Sequence, residues 1–156
     1  NCLWASALGG SSGTAMFWWW ELLDQQDAYR HYKPLAAFLA DFRPAGLKPT
    51  TAATEEPRLR IVGQQGQDRA YLWLVNRQAT WWNLVVEKRQ NDPIDSASVA
   101  FDGLAPGRYA VLWWDTHEGV PLARQTMAAE EGRLRLTAPR FSRDLACKIV
   151  PASFAE

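Results

Sequence analysis

Glu21 and Asp24 are carboxylates that adjoin three consecutive tryptophans, in the run Gly-Thr-Ala-Met-Phe-Trp-Trp-Trp-Glu from Gly13 to Glu21. Two acids three residues apart can converge, and indoles packed around a buried carboxyl raise its pKa, as an acid catalyst requires. Extra tryptophan means either a well-packed core or a surface that stacks on flat ligands, sugars included. Glu21 is therefore the weak candidate for acid chemistry. Acids recurring at Glu21, Asp24 and Asp27 more commonly mark a solvated loop or a helix start.

Other chemistry-bearing residues read more plainly. Asp115, Thr116 and His117 are near neighbours in sequence, and residues of one tight turn cannot converge as a hydrolytic triad does, so they are read as turn chemistry. Cys2 and Cys147 lie at opposite ends of the chain, with His31 and His117 the only histidines, and no metal-ligand spacing results. A disulfide between the two cysteines and buried free thiols both remain open. No cofactor fingerprint is present. Trp81-Trp82 and Trp113-Trp114 each place one indole on either face of a strand, so one of each pair should be core and the other outside. The outer ring either stacks on carbohydrate or packs against a neighbouring domain. Arg58, Arg60, Arg133 and Arg135 alternate with apolar residues and are expected to face solvent. Arg140 and Arg143, flanking Phe141, are placed where pairing with acids across the domain is open to them, and nothing in the sequence says which acids.

These residues need elements to hold them. The 156 residues are 47% hydrophobic, and cationic and anionic side chains balance at 17 each. Net charge thus attracts neither nucleic acid nor an anionic membrane, and no segment reaches roughly 18 continuous apolar residues. Nine Trp, six Phe and four Tyr are the compositional anomaly. Residues 1–8 have helical spacing and end at Gly9-Gly10, a left-handed stop. A strand is expected from Thr14 to Trp20, with Trp18 and Trp20 on one side and Trp19 on the other, so that it must be covered on both faces. A helix is expected over Lys33 to Phe42, with Pro34 in its first turn. Residues 43–57 are rich in Pro, Thr and Gly and read as a connector. Beyond them, short β-like runs recur at 59–62, 70–76, 81–87, 98–101, 108–114, 123–128, 133–137 and 144–150, punctuated by turn formers. That texture favours an antiparallel sandwich.

Three stretches carry a resemblance to a known family. Asn-Cys-Leu-Trp-Ala-Ser-Ala-Leu-Gly-Gly-Ser-Ser-Gly-Thr-Ala-Met-Phe-Trp-Trp-Trp-Glu (1–21) resembles the seventh helix and eighth strand of the (β/α)8 barrel in bacterial cellulase-like glycoside hydrolases. Tyr-Arg-His-Tyr-Lys-Pro-Leu-Ala-Ala-Phe-Leu-Ala-Asp-Phe (29–42) resembles the eighth helix. Leu-Ala-Pro-Gly-Arg-Tyr-Ala-Val-Leu-Trp-Trp-Asp-Thr-His-Glu-Gly (104–119) resembles a strand and hairpin of the β-sandwich appended to such enzymes. The resemblance implies that the end of the tryptophan strand faces the sugar, with Trp18 or Trp20 as an aromatic floor. It also implies that both catalytic glutamates stand before residue 1.

The expectation is therefore a mainly β chain: an antiparallel β-sandwich of about eight strands, preceded by a short α/β segment from the end of a (β/α)8 barrel. Residues 1–46 would be the barrel segment, 47–57 a linker and 58–156 the sandwich. The chain would brace the catalytic barrel of a glycoside hydrolase, with Trp18, Trp20 and Glu21 contributing to sugar binding and no catalysis of its own. Alternatively it is a carbohydrate-binding module that stacks polysaccharide on Trp81, Trp82, Trp113 and Trp114. The expected partners are a β-linked glycoside or polysaccharide and the rest of the barrel, on the parent chain or a second polypeptide. Self-association through the tryptophan strand is the remaining expectation; neither metal nor cofactor is expected, and a secreted or periplasmic parent fits the resemblance.

Overall fold

The computed structural model describes residues 2–11, 13–16 and 18–154. Its centre is β3 (Ala70–Asn76), every residue of which is buried. Alternate side chains of that strand serve different cores: Ala70, Leu72 and Leu74 join one hydrophobic cluster, and Tyr71, Trp73 and Val75 join another. A strand covered on both faces must be apolar throughout, which is why Ala-Tyr-Leu-Trp-Leu-Val shows no polar alternation.

The chain forms an antiparallel sheet of six strands in the order β1-β2-β3-β8-β5-β6. The strands are β1 (Lys48–Pro49), β2 (Leu59–Gln65), β3, β5 (Gly107–Trp114), β6 (Pro121–Ala129) and β8 (Asp144–Pro151). A second sheet pairs β4 (Ser98–Asp102) with β7 (Arg133–Thr137). Val99, Phe101, Leu134 and Leu136 of the small sheet share one core with Leu72, Val111, Trp113, Leu145 and Ile149 of the large one. The two sheets therefore pack face to face.

The other face of the large sheet carries a helical layer. Helix α1 (Cys2–Leu8) and helix α3 (Lys33–Phe38) bury Trp4, Ala7, Leu8, Leu35 and Phe38 against Tyr71, Trp73, Val75 and Ala146. Phe38 fits this layer tightly, its ring centroid 5.2 Å from Trp4, 5.8 Å from Trp114 and 6.3 Å from Tyr71. Gly10 ends α1 with φ of +93°, the left-handed stop that its sequence announces. Helices α1 and α3 are thus seated on the sheet, and β1 within the expected linker pairs with β2.

Two expected strands are absent. From Thr14 to Trp19 the described chain is an irregular loop, and Trp20 opens the short helix α2 (Trp20–Gln25). Among the described residues no strand pairs with the segment, and a strand without a partner leaves its N–H and C=O groups unpaired. Local bonds win instead: Leu23 N donates to Trp19 O and Gln26 N to Leu22 O. The 81–87 run is likewise a π-helical turn, Trp82–Val86. There Leu84 N donates to Thr80 O, Glu87 N to Trp82 O, and Asn83 N to the Thr80 hydroxyl. Helix α3 also stops at Phe38, short of the expected Phe42, where the chain turns toward Arg43.

Candidate functional site

Trp18, Trp20 and Glu21 come together on the loop and first turn of α2. Trp18 is 89% exposed and Trp20 58%, and Glu21 and Asp24 are exposed as well. The indoles therefore stand beside the Glu21 carboxylate rather than enclosing it. Tyrosines hold the loop in place, with Tyr29 Oη donating to Trp20 O at 3.4 Å and Tyr32 Oη to Ala15 O at 3.3 Å. Asp27, the third acid of the segment, has φ of +48° and pairs with Arg30 at 3.1 Å.

The four tryptophans of the sandwich divide differently from the expectation. Trp81 and Trp82 are both outside, 67% and 56% exposed, because a helical turn does not send neighbours to opposite faces of a sheet. Their ring centroids stand 6.5 Å apart at 60°, and Trp82 Nε1 donates to Glu87 Oε1 at 2.9 Å. Trp113 is 2% exposed in the core between the sheets. Trp114 is half-buried under α3, against Phe38. Trp113 is thus closed to any ligand, while Trp114 keeps part of its surface exposed.

A polar constellation that the sequence does not announce lies at one end of the sheet. His117, in the β5–β6 hairpin, faces Asp144, the first residue of β8, with Nε2 and Oδ1 3.3 Å apart. Trp73 Nε1 donates to the other oxygen of Asp144 at 2.8 Å. The Asp144 side chain is only 6% exposed. Burial pushes its carboxyl up, but hydrogen bonds from His117 and Trp73 outweigh burial and leave it below the usual range. The hydrogen bond to Asp144 raises the imidazole above its ordinary value, against the opposing effect of burial. Asp115 does perform turn chemistry, since its Oδ1 accepts from His117 N at 2.7 Å and Glu118 N at 2.9 Å. The turn is legible in Asp-Thr-His-Glu-Gly; the imidazole's partner on β8 is not. Arg140 and Arg143 line the same cleft and form no ion pair with an acid among the described residues.

Cys2 and Cys147 are both free, the first exposed and the second buried. Among the described residues no three His, Cys, Asp or Glu side chains gather as a metal site. No helix of the described chain is long and apolar enough to cross a membrane.

No protein-family model matches the sequence, and no curated protein matches it. Solved structures do. The chain is similar to a glycoside hydrolase at 15% identity and a TM-score of 0.52, over 92% of this chain and 30% of that one. It is also similar to a GH30 endoxylanase from Clostridium papyrosolvens, at 16% identity and a TM-score of 0.44, over 76% of this chain and 26% of that one. A glycoside hydrolase of family 5 from Bacteroides vulgatus is similar at 13% identity and a TM-score of 0.44, over 86% of this chain and 27% of the other. The fold, mainly β and antiparallel, is therefore similar to part of the first of these hydrolases. The chain spans about 30% of the length of the first of these hydrolases.

Proposed function

We propose that this chain is the accessory β-sandwich part of a glycoside hydrolase, bracing a catalytic barrel and lending it an aromatic surface for sugar from Trp18 and Trp20, with Glu21 as a hydrogen-bond partner to hydroxyls. The observation that carries this reading is the exposure of Trp18 and Trp20 beside Glu21 on a loop tethered by two tyrosines. Large exposed apolar patches mark surfaces that meet a partner or a ligand. The helical layer under which Trp114 is half-buried suits a brace, since it fixes the segment that bears the loop to the sheet. In this reading residues 1–46 continue into the barrel, and the catalytic carboxylates are supplied by the remainder of the enzyme.

A second reading is favoured by one feature, the exposed pair Trp81 and Trp82. There the chain would bind polysaccharide as a module, stacking sugar rings on those indoles. Affinity electrophoresis through cellulose, mannan and xylan separates the two. The brace predicts unretarded migration of the isolated chain; retardation abolished by Trp81→Ala or Trp82→Ala establishes the module. Retardation abolished instead by Trp18→Ala or Trp20→Ala places sugar on the α2 loop. Aryl-glycoside turnover by the isolated chain that vanishes in Glu21→Gln would contradict the assignment of catalysis to the rest of the enzyme.

A further inference from the structure

The cleft between the β5–β6 hairpin and the β7–β8 connection has a volume of about 470 Å³. It is large enough for a small organic molecule, and far larger than the roughly 30 Å³ that one water occupies in the liquid. Its polar groups are unevenly committed. Asp115 is engaged by the backbone N–H groups of His117 and Glu118, and Asp144 by Trp73 and His117. Arg140 and Arg143 are exposed and have no ion-pair partner among the described residues. Donors dominate the capacity that remains, with two guanidiniums and the second imidazole nitrogen of His117 set against the other oxygen of Asp115 and the Ser142 hydroxyl. Such a set calls for an acceptor-rich, negatively charged ligand, and a guanidinium matches a planar carboxylate in shape.

The rest of the cleft sets the size and the apolar part of that ligand. Phe141, largely buried, and Leu122, half-exposed, form an apolar wall. The backbone carrying the arginines is rigid, because Asn76 N donates to Arg143 O at 2.8 Å, Asn76 Nδ2 to Ser142 O at 3.1 Å, and Phe141 exchanges both backbone bonds with Ile94. The opposite wall is fixed by the Asp115 turn. We propose that this cleft is a binding site for a carboxylate borne on a ring, with the carboxylate on Arg140, Arg143 and His117 and the ring against Phe141 and Leu122. This site is independent of the glycan reading above, and stands or falls separately from it.

The test is an NMR titration of the full chain, following the arginine Nε–Hε signals and the His117 imidazole at mildly acidic pH and constant ionic strength. Sodium galacturonate and sodium benzoate are the carboxylate probes; inorganic phosphate and benzyl alcohol are the controls. Saturable shifts of Arg140, Arg143 and His117 are expected with at least one carboxylate, and whichever binds identifies the ring as a sugar or an aromatic. Arg140→Gln and Arg143→Gln should each raise Kd roughly tenfold with unchanged thermal unfolding, because each removes one charge-assisted contact. Arg133→Gln, whose native partner is Asp102 on β4, should leave Kd unaltered. The proposal is overturned by the absence of saturable shifts, by equal binding in the Arg140→Gln/Arg143→Gln double variant, or by tighter binding of phosphate or benzyl alcohol than of either carboxylate.

Discussion

His117 and Asp144 carry a pH dependence whose sign follows from their opposite shifts. The raised imidazole stabilises the fold below its ordinary value of 6.5, and that contribution fades as pH rises through the raised value. The lowered carboxyl contributes above its ordinary value of 3.8, and that contribution fades as pH falls through the lowered value. Both are present between the two ordinary values; Arg143 opposes the imidazolium there and Asp115 favours it. In urea titrations, the stability difference between the native chain and His117→Gln should therefore be greatest between the two ordinary values and shrink as pH rises through the raised imidazole value. A difference that does not change across that range would remove His117 from any ionised contact. Thiol chemistry gives a second check at this scale. Burial pushes the Cys147 thiol up and shields it, while Cys2 is exposed. A thiol reagent should modify Cys2 alone in the folded chain and both cysteines in denaturant. The two open readings of these cysteines in the sequence were settled by their placement: Cys147 points into the core of β8, and Cys2 stands at the exposed start of α1.

At the scale of elements, the seam between the helical layer and the sheet concentrates the energetics. Lys148 of β8 is buried and paired with Asp41, and its ammonium lies 5.2 Å from the Phe38 ring centroid and 5.5 Å from that of Trp114. Asp41 itself is largely exposed, so solvent weakens the pair. Phe38→Ala should cost about 3–5 kcal/mol in denaturant titration, because the ring is fully buried among Trp4, Tyr71 and Trp114. Lys148→Met should stay within about 1 kcal/mol of the native chain, since an apolar side chain of similar length fills the slot without a charge to desolvate. A loss as large as that of Phe38→Ala would mean that the ion pair holds the layer. The hairpin is tied to the same layer at Gly119, whose φ is +73° and whose missing Cβ would stand 2.8 Å from Pro34 Cα. Gly119→Ala should thus destabilise by roughly 1–3 kcal/mol, from strain and contact together. Strand periodicity placed β3 and β7 to the residue and β4, β5 and β8 within one, but β2 runs on to Gln65 through a glycine that reads as part of a turn, and β6 begins at Pro121. It failed at 14–20 and 81–87, where apolar composition alone suggested strands and no neighbouring edge was available to pair with them.

The whole molecule is a sheet with two unlike covers, a two-stranded sheet on one face and helices on the other. Its exposed apolar surface is concentrated in residues such as Trp18 and Trp20 on the α2 loop, and Trp81, Trp82 and Val85 near the π-helical turn. Light scattering of the isolated chain should show association that increases with concentration and declines in Trp18→Ser/Trp20→Ser, whereas a monomer at all concentrations would remove the case for a partner at that loop. Composition, turn spacing and period-two runs were sufficient by themselves to specify a mainly β, antiparallel chain with a helical beginning, because hydrophobic periodicity and turn chemistry are local properties. The sequence also showed that aromatic rings are this chain's most distinctive surface chemistry. It could not say which rings are covered: β3 and the 14–20 run are both apolar, yet only β3 lies between two layers that the fold brings together. Nor could it pair His117 with Asp144 or leave Arg140 and Arg143 unpaired beside them, for those relations exist only once β8 is laid next to β5 and the hairpin folds over its end. Burial and long-range contact are properties of the packed sheet, and no spacing along the chain encodes them.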